Sequence, residues 1–131
     1  MRTYQKEDQD AIMRLIESEG SDWSDYYQGD GRIQYLYALL HSITLVIPEG
    51  DEIIGYLRAK DDFGFGIYVY DLLVSKQKRG QGYGAMLISH LMDCYPGQTV
   101  YVMSDVDPYY EKLGYERIGS IFQATKTSPS K

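Results

Sequence analysis

The 131-residue sequence predicts an α/β domain of the α+β type, in which a mixed and mostly antiparallel sheet is flanked by helices. Three observations predict it. Two apolar stripes at helical spacing occupy the first third of the chain, three β-prone runs joined by short turns follow, and a glycine-rich loop then opens another helix before a further strand. The length suits one domain, assigned to residues 1–123, with a polar, small-residue tail at 124–131 that is expected to be flexible.

Taken in order, a short strand closes at Tyr4, and Asp8 is placed to cap a helix whose Ala11, Ile12, Leu15 and Ile16 recur at helical spacing before Gly20 stops it. Residues 21–31, rich in Asp, Gly and aromatics, read as a loop. A second helix is expected to bury Ile33, Leu36, Tyr37 and Leu40. Ile43 to Ile47, Ile53 to Lys60 and Ile67 to Val74 form a meander, turned at Pro48-Glu49-Gly50-Asp51 and Asp61-Asp62-Phe63-Gly64. The basic run Ser75-Lys76-Gln77-Lys78-Arg79 leads into Gly80-Gln81-Gly82-Tyr83-Gly84 and a third helix striped by Leu87, Ile88, Leu91, Met92 and Tyr95. Pro96-Gly97 ends that helix, Thr99 to Met103 is a strand, and Asp107-Pro108 starts a short helix stopped by Gly114. Tyr115 to Gln123 supplies a last strand or hairpin.

Composition excludes several classes. One cysteine, Cys94, permits no intramolecular disulfide, so a reducing cytoplasmic setting is expected. No apolar run approaches the roughly 20 residues of a membrane helix, and the first residues lack the apolar core of a signal peptide. The net charge of −6 argues against nucleic acid and anionic lipid as partners. That charge is uneven: residues 1–62 hold six basic and 13 acidic side chains, and residues 63–131 hold seven and six. An acidic first half lining an entrance would favour a cationic acceptor such as an amine. His41 and His90 are isolated, with no ligand spacing for a metal.

A strand, a glycine-rich loop and a helix N-terminus together make an anion site, because the unpaired N–H groups of the first turn point outward and glycines admit a phosphate close to the backbone. Two frames fit the glycines here: Arg79-x-x-Gly82-x-Gly84, and the dinucleotide-type Gly80-x-Gly82-x-x-Ala85. The second belongs to the first turn of a parallel doubly wound sheet. Here the loop follows a meander, and too little chain remains to build such a sheet.

Asp71-Leu72-Leu73-Val74, Arg79 to Gly84 and Leu87 resemble the acetyl-CoA pyrophosphate motif, Arg/Gln-x-x-Gly-x-Gly/Ala, of the GNAT superfamily of acyl-CoA-dependent N-acetyltransferases. Tyr109-Tyr110-Glu111-Lys112-Leu113-Gly114-Tyr115 resembles that family's Phe-Tyr-x-x-x-Gly-Phe motif, with Tyr at both Phe positions. The resemblance implies six to seven strands splayed between the fourth and fifth, with about four helices. It also implies an acetyl-CoA cosubstrate and transfer of acetyl to a small-molecule or peptide amine by direct attack. A homodimer is common among its members. The alternative is a catalytically silent acyl-CoA-binding sensor or partner module.

By the same resemblance, backbone groups of Leu72, Leu73 and Val74 pair with the pantetheine arm, and Arg79, Gly80, Gln81, Gly82, Tyr83 and Gly84 hold the pyrophosphate. Tyr110 stands where a general acid protonates the departing thiolate, a reasonable role for a phenol. Asp71 resembles the acidic residue of polyamine-acetylating members and is the second catalytic candidate, as base or amine anchor. Strand alternation puts it on one face with Ile67, Val69 and Leu73, a poor place for a carboxylate unless a bulge or cavity exposes it. Two departures stand out. Tyr68 occupies the position of the histone-acetylating members' catalytic Glu, and Met103 occupies that of a frequent Asn, leaving Ser104 or Asp105 to substitute. Trp23, Tyr26 and Tyr27, with Asp22 and Asp25 nearby, are the candidate walls of the acceptor pocket.

Overall fold

The computed structural model describes residues 1–126. Five strands form one sheet in sequence order: β1 (Arg2–Thr3), β2 (Ile43–Glu49), β3 (Glu52–Asp61), β4 (Ile67–Val74) and β5 (Val100–Val102). The first three pairings are antiparallel and β4–β5 is parallel. The helices are α1 (Gln9–Glu19), α2 (Ser24–Tyr27), α3 (Gly29–Leu40), α4 (Tyr83–Cys94) and α5 (Asp107–Lys112). The mixed, mostly antiparallel sheet is as predicted, with five strands among the described residues rather than six or seven.

The sheet separates two cores. On one face Ile12, Met13 and Ile16 of α1 and Leu39 of α3 pack against Val46, Ile53, Tyr56 and Leu73. On the other Leu87, Ile88 and Leu91 of α4 cover Leu45, Leu57, Ala59, Ile67 and Val69. The α4 stripe is the predicted one except for Met92, which is exposed.

Four local expectations need correction. Asp8 makes no side-chain capping bond to α1; its carboxylate takes Arg2 in a fork at 2.7 and 2.8 Å and accepts the Gln5 N–H, capping the 3₁₀ turn before it. The Arg2 guanidinium accordingly holds the Asp8 carboxyl below the usual carboxylate range. Residues 21–31 are largely helical, as a 3₁₀ turn (Ser21–Trp23), α2 and the start of α3, because the aromatic rings find packing partners. Helix α3 buries Tyr35 and Leu39 and leaves Ile33 and Tyr37 69 % and 67 % exposed. The apolar stripe misled here because the buried Tyr35 hydroxyl has polar partners inside. Finally, residues 115–126 form no strand, and Ile118, Ile121 and Phe122 are exposed. Residues 124–126 of the predicted tail are exposed; 127–131 lie outside the described residues.

Candidate active site

Strands β4 and β5 part early. Their pairing covers only Ile67 to Val69, closing with the Met103 N–H to the Val69 carbonyl at 2.9 Å, while β4 continues to Val74. The stretch holding Leu72, Leu73 and Val74 therefore faces an opening where its neighbour has left.

Beyond that opening lies the glycine loop. Gly80 and Gly82 have φ of +78° and +85°, a left-handed conformation that side chains rarely adopt. Nothing lies within 4 Å of where a side chain would start at either residue, which leaves the backbone approachable. Gly82 is the N-cap residue of α4, so the free N–H groups of its first turn front this space. Two of the three cations leading into the loop are already engaged. Arg79 donates from Nε to the Val74 carbonyl at 3.0 Å and from Nη2 to Glu19, at the end of α1, at 2.5 Å. Lys78 pairs with Glu49 at 3.2 Å.

Gly84 sits in the first turn of α4, two residues beyond Gly82. A methyl group there would collide with the Tyr109 hydroxyl and approach Leu72, so the short helix α5 rests on α4 through Tyr109. Tyr110 points elsewhere: its ring packs among the α4-side core, edge-on to Tyr109 at 5.0 Å and parallel to Tyr115 at 6.2 Å. Burial, with the neighbouring phenols and Asp105 adding to it, pushes Tyr110 up to about 12. Tyr110 also borders a cleft of about 870 Å³ that follows β5, with Tyr68, Ile88 and Tyr115 among its other walls. That cleft lies where the expected last strand did not form, and it touches neither the glycine loop nor Asp71.

Asp71 is where alternation fails. Arg58 pairs with Asp71 but Ala59 with Val69, so Tyr70 is an extra residue in β4. This bulge turns the later part of the strand over. Ile67 and Val69 face α4, whereas Asp71 and Leu73 face α1 and α3, so the predicted shared face does not exist. There Asp71, 9 % exposed, accepts from Arg58 Nε at 2.6 Å and from the Tyr35 hydroxyl at 2.7 Å. The Tyr35 and Tyr56 hydroxyls are 2.7 Å apart. Burial works against the Arg58 charge, and the bond and charge of Asp71 more than offset it, so its proton is held more tightly than usual. The guanidinium also lies 5.5 Å from the ring centroids of both Tyr35 and Tyr70.

The aromatic segment closes this side. Tyr26 lies against Tyr35 at 4.5 Å and Trp23 against Tyr26 at 5.4 Å, while the Tyr27 hydroxyl turns back to the Gly20 carbonyl at 3.4 Å. Burial raises the Tyr26 phenol, and the charges of Asp71, Asp25 and Asp105 raise it further. The Asp105 charge thus acts in the same direction on both Tyr26 and Tyr110. Ser104, the other substitute for the missing Asn, accepts the Val106 N–H at 3.1 Å, and Tyr68 stacks on Tyr101 at 5.0 Å.

Residues 9–115 match the profile of the Acetyltransferase (GNAT) family. The chain belongs to that family. It is 35 % identical over 91 residues to histone acetyltransferase TAP1 of Glycine max, which covers 63 % of this chain and 39 % of the relative, so the chain spans well under half of that protein. Among solved structures, a GNAT-family acetyltransferase of Streptococcus pneumoniae TIGR4 superposes with a TM-score of 0.67 at 21 % identity, over 89 % of this chain and 91 % of the other. An aminoglycoside 6'-N-acetyltransferase complexed with coenzyme A gives 0.67 at 18 % identity, over 85 % and 79 %. These likenesses establish the acetyltransferase fold. Among the described residues no helix is long and apolar enough to cross a membrane, and no cluster of potential metal ligands occurs.

Glu19, Tyr35, Tyr56 and Arg58 are the neighbours of these candidate residues that the sequence reading missed. Arg58 carried a signal, as a cation set between the apolar Leu57 and Ala59 inside a strand. Glu19 and Tyr35 carried none, since their partners are 60 and 36 residues away.

Proposed function

We propose that this GNAT-family protein transfers the acetyl group of acetyl-CoA to a primary amine, of a small molecule or a peptide, by direct attack. The observation that carries the reading is the parting of β4 from β5 in front of the glycine-opened N-terminus of α4. That opening suits a pantetheine arm lying along Leu72, Leu73 and Val74, with the pyrophosphate on Arg79, Gly80, Gln81, Gly82, Tyr83 and Gly84. The family's relative in complex with coenzyme A agrees with this choice of donor.

A backbone N–H on the free edge of β4 would stabilise the oxygen on which charge develops as the carbon is attacked. Trp23, Tyr26 and Tyr27 bound the acceptor side, and Asp71 receives a proton from the nitrogen. As the new C–N bond forms and the C–S bond breaks, Tyr110 supplies a proton to the departing sulfur. A phenol held at about 12 stays protonated throughout the neutral range, as a donor must. In the structure its ring stacks on Tyr115, with centroids 6.2 Å apart. The exposed lone Cys94 suits the reducing cytoplasm.

The test is release of free CoA, followed with a thiol reagent, across polyamines, amino acids, aminoglycosides and lysine peptides. Amine-dependent release is expected. Binding of acetyl-CoA without release on any acceptor would instead identify a silent binding module.

A further inference from the structure

The buried hydroxyls around Asp71 have an arrangement that the transfer reaction alone does not require. Both hydrogen bonds to the carboxylate end on the same oxygen, Oδ2, from Arg58 Nε and the Tyr35 hydroxyl. Oδ1 accepts none from the described residues, and no fully buried side-chain oxygen among them lacks a partner, so Oδ1 is not wholly enclosed by the protein. Tyr35 has one hydroxyl proton and gives it to Asp71, so in the bond between the tyrosines Tyr56 is the donor. The result is a one-way chain from Tyr56 to Tyr35 to Asp71. Tyr56 is 0 % exposed, and Tyr35 is its only hydrogen-bond partner among the described residues.

Arg58 neutralises Asp71, which leaves Oδ1 as a hydrogen-bond and proton acceptor rather than a net negative charge. We infer that Tyr35 is a positioning residue that saturates Oδ2 and so presents Oδ1 to the attacking nitrogen of the acceptor. This rests on the acetyltransferase reading and on Asp71 as its acceptor-side carboxylate. The same Tyr35 ring supports Tyr26, so one residue sets both the acceptor wall and the orientation of the carboxylate. Removing the hydroxyl alone keeps that ring contact.

Three variants separate positioning from mere stability. Tyr35→Phe orphans the buried Tyr56 hydroxyl and frees the carboxylate to rotate, so Tm falls by roughly 4–8 °C and kcat by about tenfold. In Tyr35→Phe/Tyr56→Phe no orphan remains, so Tm returns to within a few degrees of wild type while kcat stays about tenfold down. Tyr56→Phe keeps the bond to Asp71 and holds kcat within about twofold of wild type. The positioning role is overturned if the double variant recovers kcat together with Tm. Asp71→Asn at wild-type kcat removes Asp71 and its positioning residue from the reaction but leaves the acetyltransferase reading standing. Absence of CoA release by the wild type on every amine overturns that reading and this inference together.

Discussion

Replacing Glu19 by Gln should tighten binding of coenzyme A. The family motif gives Arg79 to the pyrophosphate, yet in the structure its Nη2 is held by Glu19 at 2.5 Å, with side chains 46 % and 18 % exposed. Phosphate must therefore displace a carboxylate before it can use the arginine. Pairs as exposed as this one are worth about 0.2–1 kcal/mol after solvent screening. Removing the competitor returns that amount to binding, a factor of about 1.4 to 5 in Kd. The loss of one negative charge beside an anionic ligand acts in the same direction and fades with added salt. Isothermal titration with coenzyme A at about 0.05 and 0.5 M salt reads both parts. Arg79→Ala at the higher salt supplies the control, because with the charge effect screened the gain from Glu19→Gln should vanish once no arginine is left to release. Equal or weaker binding by Glu19→Gln, or the same gain with Arg79→Ala present, would refute the competition.

Tyr110→Phe should lower kcat by about 10- to 1000-fold with cofactor affinity nearly kept, and unchanged turnover in a chemistry-limited reaction would sink its role as acid. Gly84→Ala gains helix propensity but drives a methyl group into the Tyr109 hydroxyl, so it should destabilise by up to ~2 kcal/mol. Adding Tyr109→Phe makes room for the methyl group, and denaturation of both single variants and the double variant should give a coupling above about 0.5 kcal/mol. Alkali should unfold the protein earlier than its net charge alone suggests. Tyr35 and Tyr56 are raised by burial, so the folded state keeps protons that the unfolded chain releases near pH 10. Stability is fully present below that pH and falls above it, by up to ~1.4 kcal/mol per pH unit for each such phenol. Denaturant melts at stepped pH, with phenolate absorbance as the second signal, check this, and a flat profile through pH ~11 would contradict it.

Much of the fold was legible because it is locally determined. The meander from Ile43 to Val74 has turn chemistry between its strands, and the α4 stripe is fixed by Leu87, Ile88 and Leu91 at helical spacing. The glycine loop was legible because left-handed backbone at Gly80 and Gly82 is rarely open to other residues. What escaped depends on distant partners. Tyr35 faces inward on account of Asp71 and Tyr56, against the aliphatic stripe of its own helix. Ser21 to Tyr27 looks polar and loop-like, but its rings are held by Tyr35 and the α1-side core. Tyr115 to Gln123 has strand-like composition, yet a strand needs a neighbour, and this segment pairs with none among the described residues.

The extra residue at Tyr70 bears on any attempt to move this site elsewhere. Copying residues 67–82 onto a strand held regular throughout, aligned on Ile67 and Val69, would leave the acid on the wrong side of the sheet, against Leu87 and Ile88. The transferable unit is the bulge together with Arg58 opposite it. Deletion of Tyr70, by contrast, would make β4 regular while Val69 stays opposite Ala59 and Asp71 opposite Arg58, so the faces from Asp71 to Val74 are kept.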